Sequence, residues 1–203
     1  MTTSQTQTEP VLDKPGAGVP WPQIAYLRFY IGPFVAGRSD WDKNWTLFDN
    51  VNNGILAKIE NLTGPQLEKK ILIRPLPALE DSSRYWSLAM TLEHLIIVGE
   101  AQKKIITALA QGIVPPGKGD TASVKPKGGR EGRAQLADYK TFVASVRPAL
   151  DPLRDKALAS RAKFAHPWMG PFTALQWQWL FSGHTHIHYR QIKEILKGLP
   201  QYH

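Results

Sequence analysis

Apolar residues recur at three- and four-residue steps along this chain and are interrupted each time by proline and glycine. That pattern restricts the chain to amphipathic helices packed on one another. Trp45, Phe48, Val51, Ile55 and Ile59 form the first stripe and predict a helix near 42–62, ended by Gly64 and Pro65. The stretch 71–81 holds Pro75 and Pro77 and reads as an extended connector. Asp81, Ser82 and Ser83 are acceptable N-caps for a second helix over about 83–111, which Gly112 stops. Residues 113–132 are rich in Pro, Gly, Lys and Ser and form a long loop. A third helical region covers about 133–162, kinked or divided by Pro148 and Pro152. After a turn at His166-Pro167, Pro171 fits the first turn of a last helix closed by Gly198 and Pro200.

Sustained apolar/polar alternation is missing, so strands are not expected, and no internal repeat is evident. Long helices and one long connection predict an all-α fold: an antiparallel four-helix bundle with a crossover loop and an irregular N-terminal segment. Residues 1–20 are polar, with Pro10, Pro15, Gly16, Gly18 and Pro20, and are expected to be a flexible tail; 21–203 is the bundle domain. The aromatic, Gly/Pro-broken stretch 21–41 fits no regular element. With 203 residues and 42% hydrophobic content the chain can bury a real core.

The chain has no cysteine, which removes disulfides, thiolate metal sites and cysteine nucleophiles together. No apolar run approaches the roughly 18 residues of a membrane span, and no secretory signal is visible, so no membrane association and a cytoplasmic location are expected. Net charge is +8, with Lys118, Lys125, Lys127, Arg130 and Arg133 gathered in one Gly/Pro-rich stretch. Without a nucleic-acid-binding motif beside them, these charges read as a solvated loop, and nucleic acid is an unfavoured partner. Gly112-Ile-Val-Pro-Pro-Gly117-Lys118-Gly119 nearly spells a P-loop, but it lacks the final Ser/Thr. Its two prolines also delete N–H groups that should cradle phosphate.

The chemistry lies in the histidines. At 100° and 1.5 Å per residue, His184 and His188 sit about 40° and ~6 Å apart on one helix face, so both imidazoles can reach one cation. His186 points elsewhere. The stripe through Trp177, Phe181, His184, His188, Gln191 and Ile195 is apolar except where two histidines and an amide interrupt it. A core tolerates such groups only when they are paired or ligate something. Two imidazoles need a third ligand, and His94, mid-way along the second helix, is the obvious one. His166, before a proline, and His203, at the chain end, fit less well. An all-imidazole set suits Zn²⁺ or Ni²⁺ with open positions. The H-E-x-x-H pattern fails because Thr185 stands where its general base would be, so chemistry here has to run through metal-activated water or a substrate heteroatom. Gln191 is placed to orient His188, and Trp177 is the tryptophan expected at a pocket wall. Tyr189, Arg190 and Arg84 are candidate polar contacts to a substrate.

Trp86-Ser87-x6-His94, and His166-Pro-Trp-Met-Gly-Pro-Phe-Thr leading into His184-x3-His188-x2-Gln191, resemble the DinB-like superfamily of metal-binding four-helix bundles. The resemblance covers about 40–197. It implies a divalent metal on His94, His184 and His188, and in some relatives a transferase or isomerase activating a small thiol. One departure is Ile187-His188 followed by Tyr189-Arg190-Gln191, where the family often shows adjacent histidines before Arg-Gly-Gln. A metal-dependent transferase or hydrolase acting on a small molecule is the expected function. The alternative is a non-catalytic bundle whose metal or histidine cluster is structural and which works as a homodimer or partner-binding module.

Overall fold

The computed structural model describes residues 9–117 and 119–199; His203, Lys118 and the start of the expected tail lie outside that range. Residues 21–38 are helical but irregular. A short α1 (Trp21–Tyr26) runs into a wide π-helical stretch over Leu27–Val35 and a 3₁₀ turn over Ala36–Arg38. Pro33, which has no N–H to give an ordinary helical ladder, sits inside the wide turn. The chain then forms α2 (Trp41–Ile59), α3 (Gly64–Glu68), a two-residue β1 (Ile71–Leu72) and β2 (Tyr85–Trp86). It continues through α4 (Leu88–Ala110), α5 (Gly132–Leu150), α6 (Arg154–Ala159), a hairpin of β3 (Phe164–His166) and β4 (Gly170–Phe172), and α7 (Ala174–Lys197).

Helices α2, α4, α5 and α7 form a four-helix bundle, and their directions follow from which residues meet. Trp41 at the start of α2 reaches Asp151 at the C-terminal end of α5, and Asp49 in the middle of α2 reaches Arg147 one turn earlier, so these two run antiparallel. His94 meets His184 while Ser83, upstream of α4, meets Gln191, so α4 and α7 are also antiparallel. Asn44 meets Gln178 and Gly54 abuts Tyr189, which makes α2 and α7 parallel. Helices α4 and α5 are likewise parallel: any side chain at Gly99 would collide with the Phe142 ring, and Lys103 reaches Ser145. Consecutive parallel helices require the chain to return along the full length of α4, roughly 35 Å for 23 residues. The crossover 111–131 makes that journey.

The core is a contiguous apolar cluster threaded by aromatic rings: Trp41, Trp45, Phe48, Phe181 and Phe142 each contact the next. Burying such side chains contributes about 1.5–3 kcal/mol each.

Three boundaries differ from the sequence expectation. Helix α4 is capped by Ser87, whose hydroxyl accepts from the Met90 N–H, rather than by Asp81, Ser82 or Ser83. Those three form a 3₁₀ turn, and Tyr85–Trp86 are drawn into strand pairing with Ile71–Leu72. Pro171 lies in β4 opposite Ala165; α7 begins later, with Thr173 and Gln176 closing a reciprocal capping box. Pro148 stays inside the last turn of α5, and the division comes at Pro152, which starts a 3₁₀ turn after Leu150.

Candidate metal centre

Helix α7 places His184 and His188 one turn apart on the face that meets α4, and α4 presents His94 opposite them. The Nε2 atoms of His94 and His188 lie 3.3 and 3.2 Å from the Nε2 of His184. One ring nitrogen from each of the three histidines falls within 4.8 Å of the other two. His94 and His188 are 6% and 3% exposed, so no bulk water mediates between them.

Which nitrogen points inward is set by what holds the other one. His94 Nδ1–H donates to the Val124 carbonyl at 2.7 Å, so its Nε2 faces its neighbours with a lone pair. His188 Nδ1–H donates to Gln191 Oε1 at 2.6 Å, and Gln191 Nε2 donates to the Ser83 carbonyl at 2.7 Å. A single ring proton on His184 can satisfy at most one of two facing lone pairs. Protonation is a poor remedy in this setting. Burial drives the His94 imidazolium down to about 4, and holds His184 and His188 well below the ordinary histidine value, with the neighbouring rings adding to the effect.

A divalent cation relieves that conflict. Two imidazole nitrogens bound at 2.0–2.1 Å and a tetrahedral angle stand about 3.3 Å apart, which is the spacing found here. The donor set and its spacing therefore fit a metal ion.

Trp86 covers the cluster, its ring nearly parallel to His188 (5°, 6.1 Å) and tilted against His94. The Lys125 ammonium lies 5.4 Å from the centre of the Trp86 ring, donates to Ser83 Oγ and pairs with Glu80 at 2.6 Å. Burial would raise the Glu80 carboxyl, but this ammonium together with the Thr121 hydroxyl and the Gly16 N–H holds the group below the usual carboxylate range. Lys125 is thus a built-in part of the site, not the solvated charge that its Gly/Pro-rich surroundings suggest. Its neighbours are also engaged: Arg130 pairs with Asp138, and Arg133 donates to the Glu60 and Leu62 carbonyls.

The triad opens on a cavity of about 340 Å³. Its walls are mainly apolar, including Val98, Ile105, Phe164, Met169 and Leu180. Trp177 is on the wall as expected, and Trp168 joins it. His166 stays outside the ligand cluster, as expected, but the β3–β4 hairpin turns it inward so that it lines the cavity. His186 stays outside the cluster, as helix geometry required. Arg84 is tied to Asp81 and the Ile73 carbonyl, and Tyr189 packs against Gly54, so neither reaches this cavity. The Val124 and Ser83 carbonyls carried no sequence signal, since any residue type supplies them.

Fold and site together define a four-helix bundle with a buried three-histidine cluster facing a cavity. Two solved structures share the fold. TT2238, described as a four-helix bundle protein, matches with a TM-score of 0.50 and 18% identity, over 76% of this chain and 98% of its own. YfiT from Bacillus subtilis is described as a probable metal-dependent hydrolase with an unusual four-helix bundle topology. It matches with a TM-score of 0.56 and 17% identity, over 77% of this chain and 86% of its own. No family profile and no curated protein sequence matches the chain. The bundle expected from the DinB-like resemblance is present. No helix among the described residues is long and apolar enough to cross a membrane.

Proposed function

We propose that this chain is a DinB-like metal-dependent enzyme, a hydrolase or transferase acting on a small molecule, with His94, His184 and His188 holding one divalent ion, zinc or nickel. The observation that carries this reading is the convergence of three imidazoles, two of them buried, whose ring nitrogens lie within 4.8 Å of one another on the wall of a cavity. A purely structural ion needs no cavity beside it, and the cavity favours the enzyme over the non-catalytic alternative. The description of YfiT as a metal-dependent hydrolase agrees with it.

Bound there, the ion supplies a Lewis acid able to polarise a substrate oxygen or sulfur or to activate water. The protein's own residues do the positioning. Val124 and Gln191 fix the rings of His94 and His188 so that their lone pairs converge. Trp86 and the apolar wall exclude bulk water, which strengthens every electrostatic interaction inside. Purified protein is expected to carry about one equivalent of zinc or nickel by elemental analysis, and the folded His184→Ala variant to carry none. Equal content in both would overturn the assignment.

A further inference from the structure

His166 is a fourth histidine, half-buried, that the metal site does not use. Its Nδ1 accepts the backbone N–H groups of Trp168 and Met169, both at 3.2 Å. A nitrogen that accepts two hydrogen bonds carries no proton, so the neutral ring's N–H is on Nε2. That tautomer is fixed by the hairpin turn, because both donors are main-chain groups. Among the described residues Nε2 makes no hydrogen bond, and it is not one of the sealed, unpartnered polar atoms of the interior. The ring is held in place by Trp168, Phe172 and Trp177 and lines the same cavity as the triad. Burial keeps it uncharged, its imidazolium pushed down to about 4.

The remaining walls say what such a donor would meet. Three charged side chains line the cavity, and each has a partner, although Glu80 Oε1 itself accepts no hydrogen bond. Glu80 and Lys125 pair with one another, and the Asp120 carboxylate accepts the Ala122 and Ser123 N–H groups. Apart from an ion on the triad itself, these walls offer an ionic or strongly hydrated ligand no free side-chain charge to replace the water it would lose.

We propose that His166 Nε2–H is a substrate-binding hydrogen-bond donor, and that the cavity takes an uncharged, largely apolar molecule whose carbonyl oxygen accepts from it beside the triad. This assignment rests on the metal-dependent reading for its chemistry, but the binding it describes does not need the ion. It also sets the substrate class: a neutral ester, amide or ketone rather than a hydrophilic thiol.

The test uses a neutral naphthyl ketone, 6-propionyl-2-(dimethylamino)naphthalene, and its analogue with the carbonyl reduced to methylene, titrated by fluorescence into full-length protein treated with chelator. Both are expected to bind at one site, the ketone about tenfold more tightly, as one added hydrogen bond allows. In His166→Phe, with its fold checked by circular dichroism, that preference disappears and the emission of the bound ketone moves to the blue. In His166→Gln, which keeps an N–H donor, part of the preference returns. If the wild type shows no ketone preference, if the preference survives in His166→Phe, or if neither probe saturates a single site, the proposal is overturned. Failure of the metal reading is distinct: probes would bind as described to a protein that never takes up metal.

Discussion

Helix α7 buries polar side chains on two sides, and they are treated differently. Toward α2, Asn44 Nδ2 donates to Gln178 Oε1, Gln178 Nε2 donates to the Trp41 carbonyl, and Ser182 Oγ donates to the Asn44 carbonyl. That network is closed: donors meet acceptors, and nothing is left to bind. Toward α4, three imidazoles bring their Nε2 atoms together, two of them with lone pairs that have no sufficient donor. Buried polar groups that satisfy one another specify how helices pack. Groups left in mutual conflict, with their outer atoms firmly anchored, are the ones the proposed metal would satisfy.

The contrast can be tested first with acid. Unfolded histidine titrates near 6.5, whereas burial holds His94 and His166 at about 4 and keeps His184 and His188 well below the ordinary histidine value. Below pH 6.5 the unfolded chain therefore binds more protons than the folded one, and stability falls as pH falls. Each fully buried ring contributes a slope of about 1.4 kcal/mol per pH unit in that window. Denaturant unfolding of metal-free protein at pH 7.5 and pH 5.0 should differ by several kcal/mol. A flat profile would place the rings in a wetter setting than the one described.

Asn44→Leu is the matching perturbation on the closed side. It strips Gln178 of its donor and should destabilise the fold by about 1–3 kcal/mol while leaving metal content unchanged. Loss of metal in that variant would mean the two sides of α7 are coupled. The smallest effect is expected from Gln191→Leu, which keeps all three ligands but frees the His188 ring. Metal affinity should fall about 10–100-fold, measured by competition with a chromophoric chelator, with little change in unfolding midpoint at saturating metal. An unaltered affinity would remove Gln191 from the site.

Much of this arrangement is legible from the sequence because helical periodicity is a strong signal. The stripe from Trp45 to Ile59 places α2, and the 40° offset of His184 and His188 places their rings together before any coordinates. What escapes is set by partners remote in sequence. Ser87 wins the cap of α4 because Tyr85 and Trp86 pair with a strand fourteen residues upstream. His166 comes to the cavity through a three-residue-strand hairpin too short to alternate visibly. Lys125 reads as a solvated charge until Glu80 is seen 2.6 Å away. Parallel packing of α4 and α5 leaves no periodic trace at all; only the length of the Pro/Gly-rich connection hints at it.

That connection has a consequence of its own. Val124, which steers the His94 ring, does so through a peptide oxygen in mid-span of the crossover. Side chains there can drift over evolutionary time without disturbing the contact, but adding or deleting residues between Gln111 and Glu131 would shift the oxygen along α4. Tolerance of substitution combined with intolerance of indels is therefore the signature this segment should leave among its homologues.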